Sequence, residues 1–226
     1  MTVLEVAATD LDDALRAVEG GAQSLEILRD LAADGLTPPL ELVRLIRDKV
    51  ALPLNIMLRP HNNGFVYSPV EIESLLEYID SLKPLGVQGV VFGVCSPGGA
   101  IDLSLMHFIA RTAAPIPLTL HRALDFSREP EHALEALVGV IPRVLTAGPA
   151  PTAWEGREVV TRWAQRFGDH YRFASSGGLT LEQIPHIFPP GLITDYHFGG
   201  AARTAGRIDV AKVRQLRAAL DQLPQP

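Results

Sequence analysis

The densest group of reactive side chains in this 226-residue chain is His121-Arg122-Ala123-Leu124-Asp125. A histidine can transfer protons near neutral pH, an arginine can clamp an anion through two parallel hydrogen bonds, and an aspartate can orient either one. Two glycine pairs follow further along, in Ser175-Ser176-Gly177-Gly178 and Phe198-Gly199-Gly200-Ala201. Glycine lets backbone N–H groups approach and surround an anion, and Arg203 stands near enough in the chain to add a positive partner. Thr146-Ala147-Gly148 is a third stretch of this kind, and Arg59-Pro60-His61-Asn62-Asn63-Gly64-Phe65 has the polar, glycine-containing character of a lid. Each has a plainer reading too, because glycines make tight turns and polar stretches cover surfaces.

What must position these groups is an alternation of short apolar runs with longer stretches of helical period, repeated eight times. Strands are expected near Val3–Ala7, Ser24–Leu28, Leu54–Leu58, Gly89–Gly93, Pro117–His121, Arg143–Thr146, Arg172–Ser175 and Thr194–His197. Helices are expected near Asp10–Glu19, Pro39–Lys49, Pro69–Leu82, Leu103–Arg111, Glu131–Val138, Trp154–Phe167, Leu181–Ile187 and Asp209–Leu220. Gly20-Gly21 ends the first helix, Ser68-Pro69 opens the third, and Asp102 and Thr180 are N-cap candidates. Consecutive βα units force a parallel sheet, and eight of them favour a single-domain α/β fold, the (β/α)8 TIM barrel. An open dinucleotide-binding sheet would carry glycines in its first turn, where this chain has Ala7-Ala8-Thr9-Asp10.

Alternate side chains of a barrel strand face the interior and the helices. Leu4 and Val6 oppose Glu5, Leu25 and Ile27 oppose Glu26, Ile56 and Leu58 oppose Asn55, Met57 and Arg59, and Leu118 and Leu120 oppose Thr119 and His121. The polar set therefore faces inward. Arg59, His121 and His197 end their strands at the mouth where barrel active sites are built. Buried charge is costly unless paired, so Glu5 and Glu26 are expected to meet Arg59, Arg122 or a histidine. Such a network could be purely structural, or it could be a small-molecule site.

Composition removes several other functions. The 20 basic and 26 acidic residues leave a formal charge of −6 with no run of like charges, which argues against nucleic acid or an anionic membrane as partner. Met1 to Ala8 lacks the pattern of a signal peptide and no apolar stretch is long enough for a membrane span, so a cytoplasmic protein is expected. Soft metal ligands are sparse: Cys95 stands alone, and Met1, Met57 and Met106 are dispersed. His61, His121 and His197 could still meet at the mouth and, with a carboxylate, hold a borderline metal. His107, His132, His170 and His186 fall in or beside predicted helices and read as surface residues.

These strand-end residues resemble the CutC copper homeostasis family. The likeness runs through Leu4-Glu5-Val6, Gly35-Leu36-Thr37-Pro38, Leu58-Arg59-Pro60, Phe65 to Ser68, Gly89 to Gly93, His121-Arg122-Ala123 with Asp125, and Leu145-Thr146 with Gly148. The resemblance implies a (β/α) barrel, a cytoplasmic setting, homo-oligomers and a link to copper tolerance. It also places the family's copper-binding cysteines at the ends of the first two strands, where this chain has Ala7 and Leu28, neither able to bind copper through its side chain. Where the family has a second arginine and a glycine pair, this chain has His61 and Asn62-Asn63.

Three functions follow as alternatives. One is the copper role implied by the resemblance. Another is an enzyme acting on a small anionic or phosphorylated metabolite. In that case Arg122, Thr146, Gly148, Ser176, the glycine pairs, His197 and Arg203 would bind the anion. His121 would move a proton, with Glu5, Glu26, Arg59 and Asp125 completing the catalytic set. The third is an idle barrel used for binding or assembly.

Overall fold

Runs rich in Val, Ile and Leu, each too short for a helix and bounded by turn residues, form eight parallel strands. In chain order they are β1 (Val3–Ala8), β2 (Ser24–Ile27), β3 (Leu54–Met57), β4 (Gly89–Phe92), β5 (Leu118–Leu120), β6 (Arg143–Thr146), β7 (Arg172–Ser175) and β8 (Asp195–Phe198). Each pairs with the next, and β8 returns to β1 with Glu5 opposite His197, closing the barrel. This is a computed structural model that describes residues 2–224; Met1, counted above among the methionines, lies outside them.

The helices are α1 (Leu11–Gly20), α2 (Leu40–Lys49), α3 (Pro69–Leu82), α4 (Leu103–Ala113), α5 (Pro130–Ala136), α6 (Ala153–Phe167) and α7 (Val210–Asp221). Their ends carry the expected punctuation. Gly21 closes α1 in the left-handed region at φ 95°, and the Asp102 side chain accepts the Leu105 N–H at the start of α4. Ser68 and Glu71 form a reciprocal capping box on α3, with Pro69 in its first turn. The helix expected over Leu181–Ile187 is instead a 3-10 turn, Leu181–His186. Pro185 lies inside it and Pro189-Pro190 follow, so an α-helical hydrogen-bond ladder could not have been sustained. Among the described residues, no helix is long and apolar enough to cross a membrane.

The two strand faces separate as the alternation predicts. Leu4, Val6, Leu25, Ile27, Ile56, Leu58, Leu118 and Leu120 are buried in the layer between barrel and helices. Ala7, Leu28, Met57 and Val91 form a small separate cluster on the opposite, interior face. Below it the interior is polar. Arg143 Nη2 donates to Glu5 Oε1 at 2.9 Å and its Nε to Asp195 Oδ2 at 3.1 Å. Glu5 Oε2 accepts from Asn55 Nδ2 at 2.6 Å and Ser24 Oγ at 3.1 Å. The cation that compensates Glu5 is thus Arg143 rather than Arg59 or Arg122. Arg143 and Asp195 share the inward parity of β6 and β8, so the same alternation places them inside the barrel.

Arg203 opens a short hairpin of β9 (Arg203–Thr204) and β10 (Arg207–Ile208) that the sequence pattern did not suggest. Its turn holds Ala205 and Gly206 at positive φ. Arg203 Nη1 donates to Asp13 Oδ2 and Nη2 to the Ala7 carbonyl, both at 2.8 Å, while Asp13 Oδ1 accepts the Ile208 N–H at 3.1 Å. That pairing ties the hairpin to α1 and takes Arg203 away from the anion role expected for it.

Candidate functional site

At the C-terminal ends of the strands lies a cavity of about 650 Å³. Ten of the expected site residues line it: Glu26, Arg59, His121, Arg122, Ser176, Gly177, Gly178, His197, Gly199 and Gly200. Leu28, Leu31, Met57, Phe65, Phe126 and Leu145 add apolar wall. Asp125, Thr146 and Gly148 stand behind that wall. Asp125 Oδ2 accepts Arg122 Nε at 2.9 Å and the Ala147 N–H at 3.0 Å, its Oδ1 accepts the Thr146 hydroxyl, and Thr146 Oγ1 accepts the Gly148 N–H at 2.8 Å. These residues form a hydrogen-bond chain that holds Arg122 and do not themselves line the cavity. Glu5 is likewise one layer down, lining a second cavity of about 370 Å³ toward the N-terminal ends of the strands.

The β7 and β8 sides of the mouth are bare backbone. Gly177 and Gly178 hold φ of 99° and 66°, a region that side chains with a Cβ disfavour. A Cβ on Gly177 would fall 3.3 Å from the Arg122 guanidinium carbon, so that group packs directly on the turn. Among the described residues, the N–H groups of Gly177, Gly178, Gly199 and Gly200 donate to no protein acceptor. Free N–H groups beside an oriented guanidinium are the components of an anion site.

In the centre, His197 links the two layers. Its Nδ1 lies 3.0 Å from Glu5 Oε1 and its Nε2 lies 3.6 Å from Glu26 Oε2. Burial alone would push the His197 pKa down, but the Glu26 and Glu5 carboxylates raise it above the ordinary histidine value. For Glu5, burial is overcome by Arg143 and His197, which hold it far below the carboxylate range. For Glu26 burial prevails over the pull of His197, and its pKa is raised. Glu26 Oε1 is buried and without a hydrogen-bond partner. A buried carboxyl whose pKa is raised, beside a histidine whose pKa is also raised, is suited to general acid–base work.

His121 does not have that chemistry. Its Nδ1 accepts the Ala123 N–H at 3.1 Å, so the neutral ring carries its proton on Nε2, which is buried and unpartnered. Burial, with Arg59 and Arg122 nearby, lowers its pKa to about 3. In this setting His121 is placed as a neutral hydrogen-bond donor through Nε2, a poor fit to the proton-moving role expected of it. Imidazole nitrogen NMR should show His121 as the Nε2–H tautomer with no titration between pH 5 and 8. A midpoint near the ordinary 6.5 would contradict this assignment.

On the β3 side, Arg59 is 7% exposed and pairs with no carboxylate among the described residues. Its Nη1 donates to the Ala33 carbonyl at 2.9 Å, its guanidinium carbon lies 4.8 Å from the centre of the Phe65 ring, and Nε has no partner. A buried donor left unsatisfied costs about 1–3 kcal/mol, and more when it is charged. His61, which could have met His121 and His197 at the mouth, pairs instead with Glu71 at 3.3 Å.

The chain matches the family model described as the CutC family over residues 2–202. It belongs to the CutC family. It is 35% identical to a family protein CutC of Mesorhizobium japonicum, over 88% of this chain and 77% of that one. A family protein CutC of Histophilus somni is also 35% identical, over 86% and 80%. Among solved structures, CutC from Streptococcus agalactiae superposes with a TM-score of 0.81 at 21% identity, over 88% of this chain and 98% of that one. The fold is shared more widely: phosphoribosyl anthranilate isomerase in complex with a reduced ligand gives a TM-score of 0.65 at 16% identity, covering 99% of this chain and all of that one.

Copper, implied by likeness to the CutC family, can be tested against the donors present. Copper(I) favours thiolate and thioether sulfur. Here Ala7 and Leu28 occupy the two cysteine positions and pack with Met57 and Val91. Cys95 is buried with Sγ 3.9 Å from the Ala123 carbonyl and does not line the cavity. One thioether on an apolar wall does not fit copper(I). Among the described residues, the one cluster with metal-ligand character is Glu5, Glu26 and His197, whose donor atoms lie within 4.8 Å of one another. These are oxygen and nitrogen donors, and Glu5 is already occupied by Arg143, Asn55 and Ser24.

Proposed function

We propose that this CutC-family barrel binds a small anionic metabolite, most simply a phosphorylated one, and performs proton transfer on it with Glu26. The observation that carries this reading is the pairing of an oriented Arg122 with the unoccupied N–H groups of the two glycine turns. A phosphate held there would sit at the wall, leaving the rest of the ligand to extend over the cavity floor. Glu26 Oε1 would then face a central atom of the ligand, with His197 and Glu5 holding the balancing charge as the proton moves. His121 Nε2–H would donate to an oxygen without surrendering its proton.

In this reading the partner is a small molecule rather than nucleic acid or membrane. The cytoplasmic setting and homo-oligomeric assembly implied by the resemblance belong to the same proposal. The copper role is not favoured, because no thiol faces the cavity. Calorimetric titration of the purified chain with inorganic phosphate, at fixed ionic strength, tests the reading. Saturable one-site binding that Arg122→Ala weakens is expected, and the absence of saturable binding would overturn it.

A further inference from the structure

Resting on the anion site just proposed, we infer that the ligand has two anionic ends, the second a carboxylate received by Arg59 and His121. In a closed barrel ordered β1 to β8, β3 stands across the mouth from the β7 turn. Arg59, just past β3, therefore stands across the cavity from the Gly177-Gly178 turn that follows β7. Its guanidinium is buried and has no carboxylate partner among the described residues, and Nε donates to nothing. His121 Nε2 is a second buried donor without a partner. Both side chains pack on Phe65, at 4.8 Å for the Arg59 guanidinium carbon and 5.2 Å between ring centres for His121. Two unfilled donors flanking one phenyl ring, one of them a full positive charge, call for an acceptor that carries negative charge.

The neighbouring acids do not supply it. Asp34 also lines the cavity but forms no ion pair with Arg59, Asp125 is committed to Arg122, and Glu26 faces His197. A carboxylate is the better fit at this end because its two oxygens can take one hydrogen from each donor. The substrate class is accordingly a short phosphorylated carboxylic acid, with its reacting atoms between the two ends and over Glu26.

The test compares 3-phosphonopropionate with propylphosphonate, which lacks the carboxylate, and extends to phosphonoalkanoates longer by one to three carbons. Calorimetry on the full chain should show the carboxylate improving affinity at least tenfold at one preferred chain length. In Arg59→Met the improvement should vanish while propylphosphonate binds as before, which also shows that the variant is folded. Equal affinity for acid and alkyl compounds at every length would overturn the inference and leave the phosphate reading standing. Binding of neither class would overturn both. Should Arg59→Met fail to fold, His121→Gln provides the second variant, with a smaller loss expected for the acids alone.

Discussion

Arg143→Met should destabilise the protein by about 3–5 kcal/mol at neutral pH, the usual consequence of leaving a buried charge without its partner. Arg143 bridges Glu5 and Asp195, whose side chains are each about 1% exposed, and among the described residues no other cation lies within ion-pair distance of Glu5 except a protonated His197. Asp195 keeps Arg172 at 2.6 Å, so the loss falls mainly on Glu5. The sign of the pH dependence follows. In the native protein the Glu5 pKa is depressed, so its contribution to stability is present above the unfolded carboxylate value of about 4.5 and fades as pH falls. Without Arg143 that carboxyl takes up a proton far more readily. Urea unfolding should therefore show a large loss at pH 7 that narrows toward pH 4.5, and pairing the change with Glu5→Gln should recover much of it. A loss below about 1 kcal/mol, or one independent of pH, would mean the interior network is not held by this cation.

Arg122→Ala should raise the dissociation constant for phosphate about 10- to 100-fold, as expected when a hydrogen bond between charged groups, of about 1.5–3 kcal/mol, is removed. The guanidinium is positioned by Asp125, itself fixed by Thr146 and the Ala147 N–H. Arg122→Lys should fall between wild type and alanine, because it keeps the charge but loses the planar fork that meets two oxygens at once. Burial already raises the Asp125 pKa against the pull of Thr146, Ala147 and Arg122, and removing Arg122 raises it further. The alanine variant should consequently carry a protonated Asp125 at a higher pH than wild type does. A change of less than threefold in phosphate affinity, in a variant whose unfolding is normal, would detach Arg122 from anion binding.

Much of this was legible in the chain itself, for a physical reason. Strict alternation in β1, β2, β3 and β5 places Glu5, Glu26, Asn55, Arg59, Thr119 and His121 inside a barrel, and the βα period closes it. What could not be seen was how the interior charges divide among themselves. His121 and Asp125 are conspicuous as a motif, yet the histidine is silenced by two nearby arginines and burial, and the aspartate is an anchor. Arg203 lies close to the Gly199-Gly200 turn in sequence, but Asp13, on the first helix, holds it elsewhere. Phe126, 65% exposed at the rim beside Phe65, carried no sequence signal because a lone aromatic in a polar stretch has no period. The expected seventh helix failed on Pro185, a residue whose effect was readable from the start.

The most direct test of the anion site is a crystal structure of the unmodified chain grown with inorganic phosphate. One phosphate is expected at the mouth, its oxygens within hydrogen-bond distance of the Arg122 guanidinium and of the N–H groups of Gly177, Gly178, Gly199 and Gly200. A mouth without phosphate, or one holding a metal ion on Glu26 and His197 in its place, would contradict it.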